Sequence, residues 1–385
     1  MTASSSTPLS VPSAKPFGSR LERAWDAMEL GGVDALLLSV GADLPWLCGY
    51  FAMPLERLTM LVVPARHHGE RATLVVPRLE APRVSPVPEV FSLRAWDEEE
   101  DPVAIVASLV RGCTPSRSVL AVGDRTWATF VLRLQEALPE ARWDRASSVV
   151  GPLRAVKDEF EVEALAAASA SADRVAAALL AGEIALVGRS EREVSAELTR
   201  RLLAEGHEKV NFAIVASGPN SASPHHEPGE REIRAGEPVV CDFGGSLGGY
   251  CSDITRTVFT GPPDGELARI YNTVAEAQAA GARSAKIGEL CSDVDRAARS
   301  VIDGEGFGAY FVHRTGHGIG LEEHEDPYIV DANRTPLVAG NVFSVEPGIY
   351  VPGRYGARVE DIVVATQDGP LSLNTADHAL TVVEA

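Results

Sequence analysis

The chain has 385 residues, more than one hydrophobic core usually covers, so its length predicts two domains. It carries 35 basic and 54 acidic side chains, and this net charge of −19 disfavours nucleic acid and anionic membranes as partners. An apolar fraction of 45% allows a sizeable core, yet no apolar run approaches the ~20 residues of a membrane-spanning helix.

The N-terminal segment is rich in serine and proline and lacks the apolar region of a signal peptide. We expect a disordered tail over residues 1–17. The chain contains an odd number of cysteines and no CxxC pair, which disfavours a disulfide framework and a structural zinc site. These features predict a cytoplasmic protein.

Residues 18–152 alternate between helical and strand patterns. The pattern predicts helices over 21–30 and 126–138, and strands over 35–38, 58–63, 72–76 and 118–122. Short apolar strands between helices favour an α/β layer domain. No paired catalytic residues occur in this region, so we do not expect the active site there.

A change to alanine-rich sequence near Gly151-Pro152 predicts a domain boundary, with a second domain over 153–385. Helices are predicted over 160–180, 191–205, 265–285 and 292–305, and strands over 210–216, 238–243, 250–259, 341–350 and 357–365. Helices followed by hairpins, twice over, favour an α+β domain with a mainly antiparallel sheet.

Two aspartates flank a glycine-rich segment in this second domain. Asp242 ends an apolar strand, residues 244–249 are typical of a turn, and Asp253 lies within the returning strand pattern. A hairpin of this kind can bring the two carboxylates together. Aspartate is common beside glycine-rich turns, but it is unfavourable inside a strand. The pattern therefore favours metal ligands over turn formers.

Residues 313–320 contain two histidines, His313 and His317, and three glycines, and His324 follows shortly after. Glycine permits a close backbone approach that a side chain would block. A lone histidine is more often a satisfied polar residue than a ligand. This density of histidine and glycine favours a functional site.

Two glutamates follow in strand contexts. Glu346 lies at the end of an apolar strand before Pro347-Gly348, and Glu360 lies inside the strand pattern 357–364. A carboxylate within an apolar strand is costly to bury unless it is paired or metal-bound. Arg358 shares a strand face with Glu360, so an ion pair remains the rival interpretation.

Four carboxylates and one imidazole thus form an oxygen-dominated set of candidate ligands. Such a set suits a pair of hard or borderline divalent cations. The candidate metal ligands are Asp242, Asp253, His317, Glu346 and Glu360.

The order of these motifs resembles that of the pita-bread-fold metallopeptidases, in particular the branch of Xaa-Pro dipeptidase (prolidase) and aminopeptidase P. The matching segments are 242–245, 252–257, 313–320, 345–348 and 358–361. Residues 42–50 are similar, more weakly, to the creatinase-like domain of this branch. The resemblance implies an α+β fold, with a pita-bread (creatinase/aminopeptidase) catalytic domain preceded by an α/β creatinase-like N-terminal domain.

The resemblance also implies a role for each ligand. Asp242 would chelate one metal, Asp253 and Glu360 would bridge both, and His317 and Glu346 would complete the shell of the other. Glu346 matches the general base of the family. The remaining matches are the active-site histidines His225, His313 and His324, with His226 as the alternative to His225, and the supporting residues Tyr350 and Arg358.

The resemblance implies a homodimeric enzyme that holds two divalent ions per subunit, with Mn²⁺ preferred over Co²⁺ or Zn²⁺. A metal-bridging hydroxide would attack the Xaa-Pro bond of a small peptide, and the sequence favours a dipeptidase. Aminopeptidase P activity on longer Xaa-Pro peptides and a metal-dependent lyase remain alternatives. A metal-free enzyme or a binding module without catalysis would be expected to lose ligands, and all five are present.

Overall fold

The computed structural model of the chain describes residues 16–383. These residues divide into two compact units, 16–154 and 155–383. The predicted tail over 1–17 lies outside the described residues except for its last two. Phe17 is buried in the first turn of a helix, so it does not belong to a tail. No helix within residues 16–383 is long and apolar enough to cross a membrane.

The first unit contains a six-stranded mixed sheet flanked by helices. Its strands follow the order β4-β3-β2-β1-β5-β6, in which β2 is antiparallel to both neighbours and the other pairs are parallel. The elements are α1 (Phe17–Gly31), β1 (Ala35–Leu38), α2 (Asp43–Cys48), β2 (Met60–Pro64), β3 (Ala72–Pro77), β4 (Phe91–Trp96), α3 (Pro102–Cys113), β5 (Val119–Val122), α4 (Ala128–Ala137), β6 (Arg142–Arg145) and α5 (Ser147–Ala155).

The sequence pattern predicts the central strands β1, β2, β3 and β5 but not β4 and β6. The two missed strands lie at the edges of the sheet and carry several partly or fully exposed side chains, so they lack a continuous apolar run. Pro152 lies inside α5, and the long alanine-rich helix begins later, at Glu159.

The second unit combines four long helices with short strands. Its elements are α6 (Glu159–Leu180), α7 (Glu191–Ala204), β7 (Lys209–Ser217), β8 (Pro238–Leu247), β9 (Tyr250–Cys251), β10 (Ile254–Phe259), α8 (Gly265–Ser284), α9 (Cys291–Gly304), β11 (Gly316–Gly318), β12 (Glu325–Ile329), β13 (Val342–Val345), β14 (Gly348–Val351), β15 (Tyr355–Arg358), β16 (Asp361–Thr366), β17 (Gly369–Ser372) and β18 (Thr381–Val382).

The strands of this unit form two five-stranded sheets and one hairpin. One sheet has the order β18-β10-β8-β7 with β9 paired to β8, the other has the order β12-β11-β13-β16-β17, and β14 pairs with β15. Every pair is antiparallel except β10 with β18. An isolated bridge between Thr255 and Glu360 connects the two sheets. The mainly antiparallel sheet predicted from the sequence is therefore confirmed.

Apolar clusters on the helices support these sheets. Leu179 and Leu198, from α6 and α7, pack with Val215 and Phe243 of the first sheet. Ile270 and Ala298, from α8 and α9, pack in another cluster that includes the hairpin. Both α6 and α7 begin with a reciprocal capping box, which fixes where each helix starts.

The glycine-rich segment after Asp242 differs from its prediction as a turn. Gly244 and Gly245 continue β8, and only Gly248 and Gly249, at φ of 61° and 84°, form the turn. A Cβ atom on Gly244 would lie 2.1 Å from the carbonyl oxygen of Ser252. The glycine is required by this close approach of two backbone segments, which the local sequence does not reveal.

Candidate metal centre

A cavity of about 530 Å³ lies in the second unit. All five candidate ligands and three of the predicted histidines line it. The lining residues are Phe212, Ile214, Pro224, His225, Asp242, Asp253, His313, Arg314, His317, Glu323, His324, Glu346, Arg358 and Glu360. The structure thus brings together side chains that come from seven separate stretches of sequence.

Three candidate ligands lie at interruptions of strands that the sequence predicts as continuous. Asp253 falls between β9 and β10, Glu346 between β13 and β14, and Glu360 between β15 and β16. Asp253 is therefore not inside a strand, which corrects the prediction. The flanking residues are apolar and remain strands, so hydrophobic periodicity alone does not show the breaks.

Asp242 lies within β8, opposite Thr255 of β10. Its Oδ2 accepts a hydrogen bond of 2.5 Å from Nη2 of Arg358, whereas its buried Oδ1 has no hydrogen-bond partner among the described residues. Arg358 thus pairs with Asp242 on a different sheet. This contact leaves the proposed Arg358–Glu360 pair without support, although the two charges remain close enough to influence each other.

Asp253, His317 and Glu360 form the tightest group in the cavity. One ligand atom from each lies within 4.8 Å of the other two, and all three residues are buried. Thr255 donates a 2.6 Å hydrogen bond from Oγ1 to Oε2 of Glu360. The buried Oδ1 of Asp253 has no hydrogen-bond partner in the described part of the chain.

His317 is neutral at ordinary pH, because burial lowers the pKa of its imidazole to about 3. Its Nδ1 lies 3.1 Å from the carbonyl oxygen of Gly318, which fixes Nδ1 as the donor. The Nε2 lone pair then faces Oε1 of Glu346 at 3.4 Å and Oδ2 of Asp253 at 3.8 Å. This tautomer and orientation are those of a metal-binding histidine.

The buried carboxylates raise each other's pKa. Burial and then the neighbouring Glu360 and Asp242 raise the pKa of Asp253 well above its usual value. Burial and then Glu346 and Asp242 do the same for the pKa of Glu360. Burial raises the pKa of Glu346 to about 7, although Arg358 acts in the opposite direction. Arg358 bonds to Asp242, and Arg314 of the cavity lining also lowers the pKa of Glu346, so two guanidinium groups face four carboxylates and leave negative charge uncompensated.

The donor set fits divalent cations. Four carboxylates and one neutral imidazole supply the oxygen-rich coordination that Mn²⁺, Co²⁺ and catalytic Zn²⁺ accept. The two buried oxygens without hydrogen-bond partners, on Asp242 and Asp253, are costly in a protein interior unless a cation faces them. Both the unmatched charge and the unpartnered atoms therefore point to metal ions in this cavity.

Glu346→Gln should change how the stability of the metal-free protein depends on pH. The pKa of Glu346 is raised from 4.5 in the unfolded chain to about 7 in the folded protein. Between pH ~4.5 and ~7 the folded protein therefore keeps a proton on Glu346 that the unfolded chain has released, and the free energy of unfolding falls as pH rises. The variant lacks this loss. Its free energy of unfolding should gain, relative to wild type, up to about 3 kcal/mol between pH ~4.5 and ~7.

Urea unfolding of both chelated proteins at several pH values measures this difference. Glu289→Gln is a matched control, because Glu289 is an exposed glutamate of the same unit. Parallel curves for wild type and Glu346→Gln would show that Glu346 titrates normally.

His313 belongs to a hydrogen-bonded chain behind the carboxylates. Arg358 donates through Nη1 to the Tyr350 hydroxyl at 2.7 Å, and that hydroxyl lies 2.9 Å from Nε2 of His313. Nδ1 of His313 lies 2.7 Å from the carbonyl oxygen of Arg314. Burial lowers the pKa of His313 to about 4, so the neutral ring donates from Nδ1 and accepts at Nε2. Tyr350 therefore orients His313 from a buried position.

The adjacent histidines 225 and 226 have different surroundings. His225 is exposed and lines the cavity. His226 is not among the described lining residues, and its Nε2 lies 2.7 Å from Oε2 of Glu191. Glu191 has a fully buried side chain and also accepts hydrogen bonds from Ser217 and Asn220. This network fixes the loop so that His225 faces the cavity and His226 faces away from it.

Several residues of this region are not predicted from the sequence. Phe212 and Ile214 of β7 form an apolar part of the lining, and Arg314 and Glu323 add charges to it. Alternation along β7 is a usable signal, because these two residues share one strand face. Glu191 gave no such signal, since its position in the first turn of α7 is explained equally well by the helix dipole.

The chain is similar to known proteins over nearly its whole length. The model of metallopeptidase family M24 matches residues 163–367, and the model of the creatinase/prolidase N-terminal domain matches residues 20–156. The probable dipeptidase PepE of Mycobacterium tuberculosis is 43% identical over 375 residues, which cover 96% of this chain and 97% of that relative.

More distant relatives have a similar extent. The Xaa-Pro dipeptidase of Pyrococcus horikoshii is 33% identical over 365 residues, 94% of this chain and 98% of its own length. The crystal structure of recombinant prolidase from Thermococcus sibiricus matches with a TM-score of 0.89 at 33% identity, covering 97% of this chain and 100% of that one.

Proposed function

This chain belongs to metallopeptidase family M24, which confirms the predicted fold and enzyme class, and we propose that it is a dinuclear-metal dipeptidase that hydrolyses Xaa-Pro bonds. The observation that carries the proposal is the convergence of four carboxylates and one neutral imidazole in one cavity, where two buried oxygens have no hydrogen-bond partner within residues 16–383. Relatives named dipeptidase, Xaa-Pro dipeptidase and prolidase support the substrate class.

We assign the metal ligands from the geometry and the resemblance together. Asp253 and Glu360 would bridge two ions, Asp242 would hold one of them, and His317 with Glu346 would hold the other. The short distances from His317 to both Asp253 and Glu346 support this division. Bound divalent ions supply Lewis acidity, which activates water and polarises the scissile carbonyl.

Glu346 is suited to move the proton of the attacking water. The resemblance places the general base at this position, and bound divalent ions would favour the ionised carboxylate that accepts a proton. The hydroxyl of Ser344 donates a 3.3 Å hydrogen bond to Oε1 of Glu346, which holds the carboxylate in one orientation. We therefore assign Glu346 as both ligand and base.

The histidines would bind substrate and stabilise charge that develops on the scissile oxygen. His225 and His324 are exposed at the cavity, where they could contact a peptide, and the His324 ring packs edge-on against His317. His313 is oriented by Tyr350. Proline at the second position removes the amide N–H and restricts the backbone, so the site must fit a bent substrate. The apolar side chains of Phe212 and Ile214 offer a surface for one substrate side chain.

Hydrolysis of short peptides tests the proposal. We expect the full chain loaded with Mn²⁺ to release proline from Ala-Pro, to cleave Ala-Pro-Ala at least about 10-fold more slowly in kcat/KM, and to leave Ala-Ala largely intact. Faster cleavage of Ala-Pro-Ala would instead assign aminopeptidase P activity. No hydrolysis of any Xaa-Pro peptide with Mn²⁺, Co²⁺ or Zn²⁺ would overturn the proposal and favour a lyase or a binding module.

The native metal and the assembly are also proposals. Mn²⁺ suits the oxygen-rich ligand set, and Co²⁺ or Zn²⁺ are the alternatives. A homodimer and a cytoplasmic location follow from the resemblance and the sequence. Metal analysis of protein purified without added metal tests the identity of the native metal. The molar mass of the protein in solution tests the homodimer.

A further inference from the structure

A second group of potential metal ligands lies in the first unit, outside the cavity described above. It consists of Asp34, His67 and His68, which we call the Asp34 cluster. One ligand atom from each residue lies within 4.8 Å of the other two. Asp34 directly precedes β1, and the two histidines lie in the short 3₁₀ turn Arg66–His68 that follows β2.

Backbone hydrogen bonds hold the three residues together. Strands β1 and β2 are antiparallel neighbours, so the start of one lies beside the end of the other. The amide of Ala65 donates to the carbonyl oxygen of Asp34 at 2.8 Å, and the amide of His68 donates to that of Ala65 at 3.0 Å. The turn closes at Gly69, whose φ is 74°. The cluster therefore lies at one end of two central strands, and backbone hydrogen bonds fix the positions of its residues.

The Asp34 carboxylate is oriented for one particular contact. Its Oδ2 accepts a 2.7 Å hydrogen bond from the amide of Val119 on β5. This bond leaves Oδ1 facing the imidazoles, at 3.4 Å from Nε2 of His68 and 3.9 Å from Nε2 of His67. Oδ2 of Asp34 is thus hydrogen-bonded to the backbone, and Oδ1 faces both histidines.

His68 supplies an independent indication of a ligand. Its Nε2 is enclosed and has no hydrogen-bond partner among the described residues, although its side chain remains 15% exposed. An ion pair with Asp34 alone would explain the 3.4 Å contact, but it gives no reason for the second imidazole beside it. The two rings lie side by side, with their centroids 4.1 Å apart.

We propose that the Asp34 cluster binds one borderline divalent cation of the Zn²⁺ class. Two imidazole nitrogens and one carboxylate oxygen are ligands that Zn²⁺ accepts, and water completes a four-coordinate shell. His67 is 64% exposed, so its ring has room to close the remaining distance to the ion. The ion would tie the start of β1 to the turn after β2. The site is independent of the proposed peptidase function.

Zinc-binding stoichiometry of the full chain tests the site. Wild type, His67→Ala and His68→Ala are dialysed against the same buffered free Zn²⁺, and bound zinc is counted by mass spectrometry. We expect each variant to hold one Zn²⁺ fewer per chain than wild type, since loss of even an outer-shell partner costs about 10–100-fold in metal affinity and loss of a direct ligand should cost no less.

His67 is exposed, so its variant should fold even if His68→Ala does not. Glu70→Gln is the matched control, because it removes an exposed acidic side chain near the same turn without touching the cluster. It should retain the wild-type zinc content. Equal zinc content in wild type and His67→Ala would overturn the proposal, whatever the peptidase assays show.

Discussion

Asp253→Asn should abolish peptidase activity while making the metal-free protein more stable. Asp253 is buried, its Oδ1 has no hydrogen-bond partner among the described residues, and neighbouring carboxylates oppose its charge. An amide of the same size removes that charge, which should raise the free energy of unfolding of the chelated protein by about 1–3 kcal/mol at neutral pH. The same amide is a poor bridging ligand, so bound metal should be lost.

We expect kcat/KM for Ala-Pro to fall by at least about 1,000-fold, because metal ions contribute several kcal/mol of transition-state stabilisation. Metal analysis, urea unfolding with chelator present and the hydrolysis assay measure the three effects. Asp368→Asn is the control, since Asp368 is an exposed aspartate in the turn between β16 and β17. Lower stability of the chelated Asp253→Asn protein would contradict the electrostatic account, and retained activity would contradict the ligand assignment.

Arg358→Met should have the largest effect on stability. Arg358 is buried and bonds to Asp242, Tyr350 and Thr255. Burial disfavours its charge, yet Tyr350 and the surrounding carboxylates raise the pKa of the guanidinium above its usual range. Removing one member of a buried ion pair leaves its partner uncompensated, so the metal-free protein should lose about 3–5 kcal/mol of unfolding free energy at neutral pH.

Arg354→Met is the matched control for this prediction. Arg354 pairs with Glu266 at 2.7 Å in the same unit, but both side chains are about half exposed. Its loss should therefore cost at most about 1 kcal/mol. The penalty of Arg358→Met should shrink when divalent metal is added, because the cations replace part of the missing positive charge. Equal losses in the two variants would show that Arg358 is not the counter-charge of the cluster.

Much of the candidate site follows from the sequence because metal-ligand chemistry depends on residue type and on motif order. The apolar runs that precede Asp242 and Glu346, and the histidine and glycine density around His317, are local features. Their order along the chain is sufficient for a resemblance to one family. The apolar central strands of both units are equally local, and they appear at nearly the predicted positions.

Other features depend on contacts between residues far apart in the chain. The interruptions at Asp253 and Glu360 exist because two sheets meet at the bridge between Thr255 and Glu360. Strand periodicity cannot show such a meeting point.

The choice between neighbouring or similar residues also required the tertiary structure. Arg358 bonds to Asp242, 116 positions away, and not to the glutamate on its own predicted strand face. Glu191 contacts His226 through a hydrogen bond, and His225 lines the cavity. The Asp34 cluster arises only where β1 and β2 lie side by side. The sequence determined which ligands the chain carries, whereas folding decided which charges meet, because electrostatic contacts act through space and not along the chain.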